Sequence, residues 1–161
     1  MQTVLQDSWN ANNASNDALL EHLTPEMLEA KTPGEGWTVA QHIAHMVGFY
    51  KWMSVRFASG LQTLPDLFDP NDEEDDFKVI GDLEKIREVW LQTRDAVLQA
   101  INNAKDKGNL PQLSLEHFVI HLFVHDAHHR GQIMLALKTS GFARPDDEPF
   151  WWPWRTGQGV R

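Results

Sequence analysis

Histidine is concentrated in one segment of the sequence, at a spacing that could support metal chemistry. The chain contains eight histidines, and five lie within a short stretch: His117, His121, His125, His128 and His129. Residues four positions apart lie on the same face of an α-helix, so His125 and His129 could bind the same ion. Burying this many imidazoles without partners would cost free energy, which favours a metal site. For His117, His121 and His128 individually, an exposed or structural role is the preferred interpretation.

A third ligand must come from another part of the chain. An earlier segment contains His42 and His45, and their spacing alone does not choose between them. Three histidine ligands leave at least one coordination position for water or substrate, which is typical of catalytic rather than structural zinc sites. Imidazole-rich ligand sets suit zinc, nickel, copper or iron(II).

The segment from His125 to His129 also resembles the HExxH motif of zinc proteases, with Asp126 replacing the glutamate. That glutamate is the general base, and aspartate is one methylene shorter. A third protease ligand would have to lie downstream, where Glu148 is the one candidate at a plausible spacing. This alternative is therefore disfavoured.

Four segments with helical periodicity must position these side chains. Apolar residues recur at three- and four-residue spacing in residues 3–23, 39–59, 82–105 and 115–140. Thr38 and Gln41 form a capping box before the second segment, and Ser114 is a suitable N-cap for the fourth. Glycines mark three predicted helix ends: Gly60, Gly108 and Gly141. The pattern predicts an all-α fold, a four-helix bundle.

Three further segments carry specific expectations. The polar patch Asn12, Asn13, Ser15 and Asn16 interrupts the apolar face of the first helix, so it lines a cavity or forms an exposed turn. The fourth helix is apolar on other sides too (Ile120, Val124, Leu135), which predicts burial nearly all round, as at a dimer interface. The proline-rich tail, residues 143–161, carries Phe150, Trp151, Trp152 and Trp154 and is expected to pack on the bundle or a second subunit.

An acidic loop is predicted between the second and third helices. Within residues 66–76, Asp72, Glu74 and Asp76 alternate as in a calcium loop. However, Phe77 occupies the place of the required glycine and Leu83 that of the final glutamate. A solvated charged loop is therefore expected.

Composition bounds the class of protein. With 161 residues, the chain predicts a single domain over residues 1–161. Its 14 basic and 23 acidic residues give a net charge of −9, which argues against nucleic acid or an anionic membrane as partner. The absence of cysteine excludes disulfides, thiolate metal sites and a cysteine nucleophile. No secretory signal or membrane span is visible, so a cytoplasmic location is expected.

Two motifs together resemble the DinB/YfiT-like family of metalloenzymes. The first is WTVAQHIAHM, from Trp37 to Met46, and the second is HDAHHRGQI, from His125 to Ile133. The pairing of a tryptophan-led helix carrying a histidine with H-x-x-H-H-R-G-Q is specific, whereas either half alone is weak. The resemblance covers the second and fourth helices closely.

The resemblance implies a four-helix bundle, usually a homodimer, that holds nickel or zinc through three histidines. Carried over by position, these ligands are His45, His125 and His129, while His42 and His128 become neighbours of the site. It also implies close helix approach at Gly131 and a place on the ligand side for Gln132.

Relatives of that family include thiol-dependent transferases and isomerases, in which a metal-bound thiolate is the nucleophile. Because this chain has no cysteine, the thiol would be an external low-molecular-weight cofactor. The resemblance thus implies a metal-dependent transferase or hydrolase acting on a small molecule. The alternative is a non-catalytic, stress-related homodimer that binds a metal or a small molecule. That alternative predicts a closed coordination sphere, completed by His42 or by a carboxylate such as Asp126.

Overall fold

The computed structural model describes residues 2–34, 36–54, 61–69, 77–105 and 114–156. Within these ranges the chain forms five α-helices: α1 (Gln2–His22), α2 (Val39–Ser54), α3 (Leu83–Lys105), α4 (Leu115–Thr139) and α5 (Asp147–Thr156). Two short 3-10 helices, Pro25–Glu29 and Leu61–Thr63, lie in the connections. The described residues contain isolated bridges but no strand. The predicted all-α helical bundle is confirmed.

Local sequence signals set several helix ends as expected. The backbone N–H of Thr38 donates to Oε1 of Gln41 at 2.9 Å, and the N–H of Gln41 donates to Oγ1 of Thr38 at 3.1 Å. At α4, Oγ of Ser114 accepts from the N–H of His117. Gly141 ends that helix with a φ of 81°, a left-handed conformation that a side chain would disfavour. The ends predicted at Gly60 and Gly108 lie outside the described residues.

The acidic loop is described only in part. Asp66 forms an ion pair with Lys51 of α2 at 2.8 Å, and its Oδ1 accepts from the N–H of Leu67. An isolated antiparallel bridge joins Phe68 to Val79 and brings the loop back toward α3. The alternating acidic residues at positions 72–76 lie outside the described part, so their solvated state stays a prediction.

The helices pack so that α2 and α4 are direct neighbours. Helix α1 packs against α4 and α5, and α2 packs against α3 and α4. The fully buried side chains include Trp90 of α3, Tyr50 of α2 and Leu122 and Ile133 of α4. Because α2 and α4 share this core, the histidines that they carry can approach each other.

One side of helix α4 is exposed, so the expected burial on nearly all sides is wrong for the single chain. Ile120, Val124 and Leu135 are 51%, 62% and 41% exposed. No described element covers these three side chains, although α1, α2 and α3 all pack against α4. None of the described helices is both long and apolar enough to span a membrane.

The C-terminal segment contains a helix, α5, where the sequence predicts only an aromatic, proline-rich tail. Pro149 is its third residue, where a backbone N–H has no intrahelical acceptor, so proline costs no hydrogen bond there. Phe150 of this helix is buried, and Nε1 of Trp154 donates to Oγ of Ser15 on α1 at 3.0 Å. Trp151 and Trp152 remain nearly half exposed.

Candidate metal centre

Three histidines from two helices converge at the α2–α4 interface. His45 lies on α2, and His125 and His129 lie one turn apart on α4. Each offers one ring nitrogen, and these nitrogens all lie within 4.8 Å of one another. Two nitrogens bound to one zinc ion lie roughly 3–4 Å apart, so inward shifts of the order of 1 Å would let the rings share an ion. His129 is buried, whereas His45 and His125 are half-buried and reach the surface.

The structure distinguishes His45 from His42. His45 belongs to the converging group, with its ring centroid 5.1 Å from that of His125 and 4.9 Å from that of His129. His42 instead places its Nδ1 3.0 Å from Nδ1 of His129, within hydrogen-bonding distance. Nε2 of His42 is buried and bonds to no described residue. His42 is therefore a hydrogen-bonding neighbour of the site.

Aromatic rings enclose the three imidazoles on two sides. Trp37, just before the capping box of α2, lies with its ring centroid 5.1 Å from His45 and 6.3 Å from His129. Phe49, one turn after His45, stacks on His125 at 3.6 Å with an interplanar angle of 8°. Nδ1 of His125 is buried and has no hydrogen-bond partner among the described residues. The ring of His125 is thus held by stacking and by its helix.

Burial keeps these imidazoles neutral. It is the main cause that lowers the pKa of His125 and of His129 from 6.5 to about 3, and that of His42 to about 4. The pKa of His45 is lowered for the same reason. A neutral imidazole has the lone pair that a metal requires, so the group is ready to coordinate at neutral pH without first losing protons.

The other histidines of α4 stay outside the converging group. His117, His121 and His128 are all exposed. His121 meets the ring of Phe49 edge-on at 5.2 Å, and His128 meets His129 edge-on at 5.0 Å. These two histidines therefore border the site without joining its donor set.

Two expectations about the residues after the histidines have different outcomes. Gln132 is half-buried, and its role on the ligand side stays a prediction. Gly131 is exposed, and a Cβ added there would meet open space. The expectation that another helix approaches closely at Gly131 is therefore wrong for the described part of this chain.

A buried polar network beside the site was missed by the sequence analysis. Oδ2 of Asp126 accepts hydrogen bonds from Nδ2 of Asn12 at 2.6 Å, Nδ2 of Asn16 at 2.8 Å and Oη of Tyr50 at 2.7 Å. Arg130 donates to the side-chain oxygens of Asn12 and Asn16 at 2.8 and 2.6 Å. Asp126 is thus engaged away from the histidines, which further disfavours the protease-like interpretation.

The signal for this network was the polar patch of the first helix. Its four residues are buried, so the patch is not an exposed turn: Asn12, Asn13, Ser15 and Asn16. Asn13 lines a surface groove together with Trp9 and Arg94, and Asn16 lines a small cavity within the bundle, so the expected cavity wall is found at these two residues. Asn13 bonds within its own helix, and Ser15 donates to the carbonyl oxygen of Phe150. The sequence alone does not indicate that Asn12 and Asn16 bridge a charged pair on α4.

Fold and site together define the class: an all-helical bundle with three histidines that could bind a metal between two of its helices. The chain belongs to the DinB family, whose family model matches residues 1–159. A DinB-like protein from Bacillus cereus ATCC 10987 has a similar fold, with a TM-score of 0.68 and 21% sequence identity. The similarity covers 88% of this chain and 94% of that chain. No curated protein matches the sequence.

Proposed function

We propose that this protein is a metal-dependent enzyme whose divalent ion is held by His45, His125 and His129. The observation that supports this most is the convergence of three neutral ring nitrogens within 4.8 Å. In the described part of the chain, no aspartate, glutamate or further histidine belongs to the same group. Three protein ligands leave room for an exogenous ligand, as in catalytic sites.

Nickel or zinc is the proposed ion, since both accept imidazole ligands. When bound, such an ion supplies Lewis acidity that lowers the pKa of a water molecule or thiol. The chain has no cysteine, so in thiol chemistry the thiol would be an external low-molecular-weight cofactor. We therefore propose transfer to, or hydrolysis of, a small-molecule substrate.

The half-buried faces of His45 and His125 give access to this site from the surface. Trp37 and Phe49 flank the imidazoles and would contact the apolar parts of a bound molecule. In this proposal the two aromatic side chains orient the substrate, while the histidines hold the ion.

We further propose a homodimer formed through the outer face of α4, which we define as Ile120, Val124, Ala127, Gly131 and Leu135. All five residues are exposed, and three are large and apolar. The two small residues lie between them, and the open space at Gly131 would admit a partner helix closely. Two copies of this face could pack against each other, because a twofold interface joins the same surface of both subunits.

The remaining expectations are also proposals: residues 1–161 act as one domain in the cytoplasm, without nucleic-acid or membrane partners. The packing of α5 on α1 supports a single domain, and the net charge of −9 argues against nucleic-acid and anionic-membrane partners.

Elemental analysis of protein purified without an affinity tag tests the metal site. We expect about one equivalent of nickel or zinc in the wild type and almost none in His45→Ala and His129→Ala. His117→Ala, exposed on the same helix, is the matched control and should keep its metal. A metal-free wild type after reconstitution, or full occupancy in His129→Ala, would refute the assignment. Loaded protein would then be assayed for thiol-transfer and hydrolytic activity, and a lack of both would leave the non-catalytic alternative.

A further inference from the structure

The buried network of Asp126, Arg130, Asn12, Asn16 and Tyr50 connects three helices with one set of hydrogen bonds. Asp126 and Arg130 lie one turn apart on α4, and the two asparagines lie one turn apart on α1. Each asparagine donates to the carboxylate and accepts from the guanidinium, so the opposite charges are joined through two amides. Tyr50 adds the connection to α2 through its hydroxyl. All five side chains are buried.

The network lies on the same helical turns as the three histidines. Asp126 directly follows His125, and Arg130 directly follows His129. Successive residues of a helix point about 100° apart, so one side of these two turns carries the imidazoles while an adjacent side carries the charged pair. A rotation or shift of α4 that moved the histidines would also have to break the network.

The bond between Tyr50 and Asp126 joins the two helices that supply the ligands. Tyr50 lies five residues after His45 on α2, and its Oη is 2.7 Å from Oδ2 of Asp126. The metal site spans the same pair of helices, with His45 on one side and the two histidines of α4 on the other. This hydrogen bond therefore fixes the distance between α2 and α4 close to the point where an ion would join the two helices.

The ring of His125 has little other restraint. Histidine ligands usually donate their second ring nitrogen to an oxygen acceptor, and this bond sets the orientation of the ring. Nδ1 of His125 is buried without such a bond to any described residue. Its ring is held by stacking on Phe49. The position of His125 thus depends on where α4 lies relative to α2.

We propose that the Asp126 network is the positioning device of the metal site, in which the Tyr50 hydroxyl sets the spacing between His45 and the His125–His129 pair. This inference rests on the proposed metal-binding function. It assigns to Tyr50 and Asp126 an effect on metal affinity that neither residue exerts by touching the ion.

Tyr50→Phe tests the proposal, because it removes one hydroxyl and keeps the ring. The matched control is Ser15→Ala, which also removes one buried hydroxyl but one that joins α1 to α5. Affinity for Co²⁺ and Zn²⁺ would be measured by competition with a chromophoric chelator, together with the d–d absorption spectrum of the Co²⁺ form. Thermal unfolding of the metal-free proteins would report their stability.

We expect Tyr50→Phe to bind both ions roughly tenfold more weakly, the lower end of what outer hydrogen-bond partners contribute. Its Co²⁺ spectrum should shift, because the ligand geometry changes. Asn16→Ala, which removes one bond each from Asp126 and Arg130, should change affinity in the same direction. Ser15→Ala should unfold at a lower temperature and yet keep the affinity and spectrum of the wild type.

Equal losses of affinity in Tyr50→Phe and Ser15→Ala would overturn the proposal, because general destabilisation would then explain both. An affinity of Tyr50→Phe within twofold of the wild type, with an unchanged spectrum, would also overturn it. Both results differ from a wild type that binds neither ion, which would instead refute the metal-binding function itself.

Discussion

His42 and His129 face each other with their Nδ1 atoms 3.0 Å apart, so one imidazole donates the proton that the other accepts. If His129 binds an ion through Nε2, its Nδ1 carries the proton and His42 is the acceptor. The bond would then fix both the tautomer and the ring orientation of this ligand.

Replacement of His42 should weaken metal binding without abolishing it. We expect His42→Ala to bind Zn²⁺ about 10- to 100-fold more weakly, because the three ligands remain while His129 loses its hydrogen-bond partner. A chelator competition assay measures the change. His128→Ala is the control, since that ring is exposed and contacts His129 only edge-on. Complete loss of metal in His42→Ala, as in His129→Ala, would make His42 a fourth ligand and favour the closed, non-catalytic site.

The metal-free protein should lose stability as the pH falls from 7 to 5. In the folded state the pKa values of His125 and His129 are lowered to about 3, while the unfolded chain protonates near 6.5. The unfolded state therefore binds more protons below pH 6.5, and the free energy of unfolding decreases as the pH falls. Chemical denaturation in the presence of a chelator, at intervals across this range, measures the slope.

The His129→Ala variant should show a shallower dependence on pH, since it lacks one of the buried imidazoles. His117→Ala, with an exposed ring, should keep the slope of the wild type. A slope that is the same in all three proteins would mean that the buried histidines do not control acid stability.

A charge on the outer face of α4 should separate the proposed dimer. Val124→Lys would place an unpaired ammonium in an apolar interface, at a cost of about 3 kcal/mol or more, which corresponds to at least about a 100-fold weaker association. Light scattering after size-exclusion chromatography measures the mass. Leu91→Lys adds the same charge at an exposed apolar position of α3 and should leave the mass unchanged. If the wild type were a monomer at high concentration, the proposed dimer would be refuted.

Features set by neighbouring residues could be predicted from the sequence. The capping box of Thr38 and Gln41, the N-cap at Ser114 and the glycine end at Gly141 each act within a few positions. Helical periodicity likewise placed the four long helices. The C-terminal helix escaped detection because its two prolines suggest irregular structure, although Pro149 lies where a helix has no hydrogen bond to lose.

Features set by distant residues could only partly be predicted. Periodicity left His42 and His45 as equal candidates, and the family resemblance selected the residue that the structure brings to the other two. Nothing local to Asn12 indicates that its partner is Asp126, 114 positions further along the chain. The polar patch was visible as an anomaly, but its explanation requires the orientation of α1 relative to α4, which the sequence does not give.

The pairing of α1 with the last two helices also constrains the order in which the protein can form. Asn12, Ser15 and Asn16 form hydrogen bonds with residues of α4 and α5 that lie between positions 126 and 154. On the ribosome, α1 is made before α4 and α5, and a nascent chain that ends before α4 contains none of these partners. The side chains of α1 cannot form these hydrogen bonds before α4 and α5 have been made, because the partners are far away in the sequence. Both α4 and α5 must therefore be synthesised before the bundle, and the site within it, can assemble.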